Sequence, residues 1–210
     1  LTMTTNESFP KFDLPVDFIA DDSITGDILN YYGNFPCKIK AGVFVLCTEG
    51  MVRATINLLE IVIRKNDFIV VLPNSFIQIH EVSSDTRISF AGFSSDFMLS
   101  GNYVEILLDF MPMILNSPVI SLQEDVAGLY RNVYLLLIRA YTLPHSLENK
   151  EIIRSVLAIF LQGTKELYKR YGKKLDEPLR REQELYRQFI QLLMAHYTKE
   201  HEVAFYAEKC

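Results

Sequence analysis

Residues Lys38 to Phe93, KIKAGVFVLCTEGMVRATINLLEIVIRKNDFIVVLPNSFIQIHEVSSDTRISFAGF, are a chain of short apolar runs rich in Val, Ile and Phe, separated by turn residues. The runs Val43 to Thr48, Met51 to Asn57, Glu60 to Ile63, Asp67 to Leu72, Phe76 to Val82 and Thr86 to Phe93 follow one another with very short breaks. Breaks of that length exclude helical crossovers, so antiparallel strands paired as hairpins are expected. Six such strands cannot all bury an apolar face in one flat sheet, and closure into a small barrel or sandwich is the predicted solution. Glu49 with Gly50, Lys65 with Asn66, Pro73 with Asn74 and Ser75, and Ser83 to Asp85 supply the turns.

Outward from this stretch the pattern changes on both sides. Residues 1 to 20 carry Pro10, Pro15 and Asp17 among isolated Phe9, Phe12 and Phe18, an extended arm with apolar anchors able to cross a barrel mouth. Ser23 to Tyr32 is a candidate extra strand before the turn Gly33 to Pro36. After Phe93 the period becomes that of helices. Tyr103 to Leu115 is expected as a short helix interrupted by Pro112, and Ser121 with Glu124 reads as a capping box opening a helix to about Leu143. That helix has two apolar stripes: Leu122, Val126, Leu129, Val133, Leu136 and Ala140 in one, Tyr130, Tyr134, Leu137 and Tyr141 in the other. One can face the barrel and the other a neighbouring helix or a second subunit. Leu147 to Tyr171 forms the next helix, with Gly163 marking a close approach, and Lys173 to Pro178 is the best linker candidate. A third long helix reaches about Thr198, and Val203 to Lys209 opens another in which the sequence ends, as expected of a truncated protein.

The bulk numbers narrow the function. The chain has 210 residues, 49% hydrophobic and 22% charged, with a formal charge of -5. Residues 1 to 100 hold 7 basic and 12 acidic groups, while 101 to 210 hold 14 of each. An acidic β half repels a phosphate backbone, so it is not the part that would touch nucleic acid. Cys37, Cys47 and Cys210 have no metal or redox spacing and suit a reducing compartment, the cytoplasm. No run approaches the roughly 18 apolar residues of a membrane span. The basic groups from Lys165 to Arg187 are interleaved with acids and read as a solvated helix face.

A small barrel raises the possibility of a cupin-type metal enzyme, whose site needs several imidazoles and a carboxylate on facing strands. No histidine lies between Cys47 and Asp67, and the second motif of such enzymes is represented by Pro73, Asn74, Ser75, Phe76, Ile77 and Gln78, with glutamine at the ligand position. His80 is the only histidine of the region, and one imidazole cannot hold a catalytic metal. No metal, cofactor or catalytic residue is therefore assigned. Gln78 and His80 share one strand face, and Arg53, Thr55 and Asn57 alternate in the same way on another strand. If turned inward they would offer donors and acceptors to a small polar ligand; if turned outward they are a solvated face. Gln78, His80, Arg53 and Thr55 are the candidate ligand residues. No glycine-rich loop precedes a helix, and neither Cys37 nor Cys47 has a histidine nearby in sequence.

The arm, the barrel with its Leu72, Pro73, Asn74, Ser75 turn, and the helices after it together resemble the sensor half of an AraC-type (AraC/XylS) transcriptional regulator. The tail, Phe189, Leu192, Leu193, His196, Tyr197 and then His201 to Glu208, resembles the entry to that family's DNA-binding domain, in a wording closest to Bacteroides-type members. The resemblance implies an α+β chain: a cupin-like antiparallel β-barrel with its arm over 1–100, an all-helical dimerisation region over 101–175, and a linker helix with the first helix of a truncated helix-turn-helix domain over 176–210. It implies a cytoplasmic homodimer that senses a small-molecule effector and contacts DNA only in the full-length protein, with no membrane partner. Leu129, Val133, Leu136, Ile153, Val156 and Phe160 are the expected interface residues. The family's Pro-Gly-Asp turn is Lys65, Asn66, Asp67 here, and Leu59 stands where sugar-binding members have arginine. The alternatives are a metal-dependent cupin-type isomerase or dioxygenase and a cyclic-nucleotide sensor. The latter's phosphate cassette is not matched by Glu49, Gly50, Arg53 and Ala54.

Overall fold

The computed structural model describes residues 11–32, 36–99, 103–142, 150–171 and 199–210, with 181, 185, 188, 189, 192 and 196 between the last two. The linker candidate at Lys173 to Pro178 and most of the third long helix lie outside the described residues. Among the described residues, ten strands fall into two five-stranded sheets. Sheet one has the order β1 (Lys11–Phe12), β3 (Cys37–Ile39), β8 (Ser75–Val82), β5 (Met51–Ile56), β6 (Leu59–Arg64). Sheet two has the order β10 (Val119–Ser121), β7 (Asp67–Val71), β4 (Gly42–Glu49), β9 (Arg87–Phe93), β2 (Phe18–Thr25). Apart from the two-residue parallel pair of β1 with β3, all pairings are antiparallel.

The six runs of the central stretch become β4 to β9 within one or two residues at each end. Their pairing differs from the expected hairpins. Only β5 and β6 form one, through Asn57 and Leu58, both at positive φ (46° and 73°). The other short breaks carry the chain from one sheet to the other, so the result is a two-sheet sandwich and not a closed barrel. Left-handed backbone makes three of these corners sharp: Gly50 (φ 78°) between β4 and β5, Asn66 (68°) between β6 and β7, and Asn74 (68°) between β7 and β8. Gly50 has a second constraint, since a Cβ there would lie 2.6 Å from Thr86 Cα.

Sheet two is covered on both faces, which is why β7 is buried along its whole length. One face, with Val43, Val45, Cys47, Ile69, Val71 and Ile88, meets Val52, Ala54, Ile56, Ile63, Ile77 and Ile79 of sheet one. The other, with Phe18, Phe44, Leu46, Phe68, Val70 and Phe93, packs on α3 (Tyr103–Asn116), α4 (Glu124–Thr142) and α5 (Lys150–Tyr171). Aromatic contacts tie this second layer: Phe44 to Phe160 at 5.2 Å, Phe68 to Tyr130 at 5.2 Å, Tyr134 to Phe160 at 5.5 Å. Gly163 allows the close approach expected of it, because a Cβ there would sit 2.8 Å from the Tyr130 hydroxyl.

Several local expectations are corrected. The strand anticipated at Ser23 to Tyr32 starts earlier and stops at Thr25; Gly26–Tyr32 is a helix, α1. Its first residue touches the β8–β9 turn, where a Cβ on Gly26 would meet Ser83 O at 2.6 Å. Pro112 does not interrupt α3. Ser121 and Glu124 form no capping box, because Ser121 belongs to β10 and its hydroxyl donates to Asp67 Oδ1 (2.6 Å). Glu124 bonds instead to Asn66 Nδ2 (2.6 Å) and Arg131 Nη2 (2.6 Å). These two partners, the Asn66 amide first, hold its carboxyl below the usual value. The last described helix, α6 (Val203–Lys209), forms where expected and packs Tyr206 on Phe189 at 6.0 Å.

The arm is anchored at Asp13, whose carboxylate accepts from Ser95 Oγ (2.6 Å) and Ser95 N (3.3 Å) at the start of α2 (Ser95–Leu99), and from the neighbouring Leu14 N (2.9 Å). Burial pushes the Asp13 pKa up, but these bonds and Lys40 outweigh it and leave it below the ordinary carboxylate value. A depressed carboxylate contributes stability that is complete above the unfolded pKa and lost as pH falls through the lower folded value. Thermal melts between pH 5 and pH 2 should therefore show a smaller acid loss in Ser95→Ala than in wild type. A second expectation concerns Tyr134, fully buried with no partner for its hydroxyl. An orphaned buried hydroxyl costs about 1–3 kcal/mol, so Tyr134→Phe should raise the urea midpoint.

Candidate functional site

The four candidate ligand residues come together on one surface, the outer face of sheet one. Thr55 is paired with Gln78 across β5 and β8, and its hydroxyl lies 2.7 Å from His80 Nε2. Arg53 Nε reaches Glu81 Oε2 at 3.3 Å, with both side chains more than half exposed. A β-bulge between Arg53 and Ala54 puts His80 and Glu81 together opposite one register step. Through that bulge Ile77, Ile79 and Val82 all join the sandwich interior, although strict alternation would send Val82 outward from the other two. The polar set thus faces away from the space between the sheets.

The interior itself is aliphatic. Its most reactive group, Cys47, is fully buried, with Sγ 3.2 Å from Glu49 O. Burial first, and the Asp67 carboxylate second, push this thiol up to about 11. Burial raises Cys37 as well. Both are therefore held as thiols and are poor nucleophiles at neutral pH. Among the described residues no group of three His, Cys, Asp or Glu side chains could hold a metal ion. A cleft at the sandwich mouth, lined by Ile56, Leu59, Leu72, Ser75, Ile114 and Pro118, has room for about one water molecule.

The helical layer distributes the six expected interface residues between two surroundings. Leu129 and Leu136 of α4 are exposed at 61% and 67%, seven residues apart on one face, and Val133 is half-buried between them. On α5, Ile153 and Phe160 are buried in the core against sheet two and Tyr134, and Val156 packs at its edge. The exposed apolar pair of α5 is instead Ile152 and Ile159, at 44% and 66%, again seven apart. Periodicity reveals both phases of α5 equally; which one turns outward depends on what the helix covers. No described helix is long and apolar enough to cross a membrane.

No family model matches the chain, and no curated protein matches it. Similar solved structures include ToxT from Vibrio cholerae O395 bound to (E)-4-(8-methylnaphthalen-1-yl)but-3-enoic acid, 11% identical over 92% of this chain and 71% of that one, with a TM-score of 0.39. The AraC-like transcriptional activator CuxR is 10% identical over 81% of this chain and 56% of its own, with a TM-score of 0.46. The putative ethanolamine utilization protein Q from Salmonella typhimurium is 13% identical, covers 37% of this chain and 55% of its own, and has a TM-score of 0.26. All three scores are below 0.5, and at that level function has to be read from this chain's own residues.

The Arg53–Glu81 and Thr55–His80 pairings of this outer face are exposed, and such pairings are worth about 0–1 kcal/mol each. Thr55→Val and Arg53→Ala are accordingly expected to move the unfolding free energy by less than about 1 kcal/mol in urea titrations. A larger loss would make this surface a structural one.

Proposed function

We propose that the chain is the effector-sensing and self-associating part of an AraC-type transcriptional regulator, a cytoplasmic homodimer that reads DNA through helix-turn-helix units of the full-length protein. One observation carries this reading. α4 and α5 each close the core with one stripe and leave a second, heptad-spaced apolar pair uncovered, Leu129 with Leu136 and Ile152 with Ile159. A helix that only had to cover sheet two would place polar residues there. Exposed leucines seven apart suit the same face of a second copy, where two-fold symmetry pairs each helix with itself or with its neighbour.

The sandwich is the proposed sensing part. The interior is aliphatic, so the proposed ligand surface is the outer face carrying Thr55, Gln78 and His80, with Arg53 at its border. Thr55, Gln78 and His80 supply donors and acceptors, and the Arg53 guanidinium is balanced by Glu81 at 3.3 Å, a set that suits a small polar effector better than an apolar one. The sequence motifs of the tail, Phe189 to Tyr206, support the link to a DNA-binding domain: Tyr206 packs on Phe189 and its hydroxyl donates to Glu200 O at 2.6 Å, a small folded junction.

Sedimentation of the 210-residue chain should show a dimer that Leu136→Glu and Ile159→Glu, separately or together, convert to monomer without loss of helical signal. A wild-type chain that stays monomeric at high concentration would sink the proposal. Thermal-shift screening against small polar metabolites should find one that raises the melting temperature, with the rise lost in Arg53→Ala or His80→Ala.

A further inference from the structure

We propose that the Lys65–Asp67 turn and the first half of α4 form a polar latch, through which the sandwich and the exposed face of α4 change conformation together. Three side chains make a closed ring. Asn66 Nδ2 donates to Glu124 Oε2 (2.6 Å), Arg131 Nη1 donates to Asn66 Oδ1 (3.1 Å), and Arg131 Nη2 donates to Glu124 Oε1 (2.6 Å). Each member therefore bonds both others, spanning two turns of α4 and one sheet-switching corner. Around the ring the same corner makes further bonds to the segment that feeds α4: Leu122 N to Asn66 O (3.0 Å) and Ser121 Oγ to the buried Asp67 (2.6 Å). On its other side Asn66 N donates to Cys47 O (2.8 Å), so the corner also grips β4.

The position of this ring gives it leverage. Asn66 is the residue that lets the chain pass from sheet one to sheet two, and β7 immediately after it contributes to both cores. Arg131 follows Tyr130, which packs on Phe68 of β7, so the ring holds one edge of the core-facing side of α4 and the exposed Leu129–Leu136 face flanks its other edge. A shift of the corner is thus delivered to α4 by side-chain bonds and not only through the β10 connection. By reciprocity, anything that captures the exposed face of α4 holds the corner. Only that output, presentation of Leu129 and Leu136 to a second copy, rests on the self-association reading; the latch does not.

Asn66→Gly separates the two roles of this residue, since glycine keeps the left-handed turn and removes the amide. Arg131→Met keeps the stem and removes the head group. Hydrogen exchange on the whole chain should show the first two turns of α4 exchanging roughly fivefold faster in Asn66→Gly, and the Lys65–Asp67 turn likewise in Arg131→Met. The double variant should be no worse than Asn66→Gly alone, because that substitution already removes both bonds between the corner and α4. Protection of β5 and β8 is the internal control. If Asn66→Gly loses it, Arg131→Met alone decides, by whether the turn accelerates. Unchanged exchange across the ring, or effects that simply add, would overturn the latch. Sedimentation of the same samples keeps the two readings apart, because a monomeric wild type removes the proposed dimer and leaves the exchange result standing.

Discussion

Phe44, Leu46, Phe68 and Val70 leave sheet two on one side, and Val45, Cys47, Ile69 and Val71 leave it on the other; all of these positions must be kept from water. That double coverage is the constraint on which the rest of the molecule depends. It requires a second sheet against one face and a helical layer against the other. Truncating a phenylalanine such as Phe44, fully buried against Phe68, Phe93 and Phe160, costs about 3–5 kcal/mol in comparable cores. Such a loss is a large part of the marginal stability of a domain of this size.

The two sheets consequently have different duties. Sheet two is structural throughout, while sheet one covers it with one face and offers the other to solvent, where Arg53, Thr55, Gln78, His80 and Glu81 are gathered. The β-bulge at His80 and Glu81 separates these duties by adding a residue to the polar face without disturbing the aliphatic one. The helical layer shows a comparable division. Tyr130, Tyr134 and Leu137 of α4 and Leu157, Phe160 and Leu161 of α5 close the core, and the surplus apolar residues turn outward.

Much of the fold was legible because it is written in periodicities. Alternation gave β4 to β9, the 3.6-residue repeat gave α4 and α5, and Gly50, Asn66 and Asn74 gave the corners, since left-handed backbone selects those residue types. Strand partners were not legible. A two-residue break reads identically whether the next strand pairs beside its predecessor or crosses to the facing sheet, and only the Asn57–Leu58 break did the former. Ser121 and Glu124 show a second kind of failure. Their spacing matches a capping box, but Asp67 and Asn66, more than fifty residues earlier, compete for the same hydroxyl and carboxylate.

The sequence by itself determined which residues are apolar, at what period, and where the chain can turn sharply, because these depend on each residue's own chemistry and its near neighbours. It determined too that the metal-ligand pattern of a cupin-type enzyme is not written in Lys38 to Phe93. Only the tertiary structure decided that Val82 joins Ile77 and Ile79 inside, since a bulge changes the phase of β8 after His80 and nothing in alternation announces it. Only it decided that Ile152 and Ile159, and not Ile153 and Phe160, are the apolar surface of α5. An amphipathic helix fixes the angle between its faces from within, but the direction in which each face points is set by the sheet it covers.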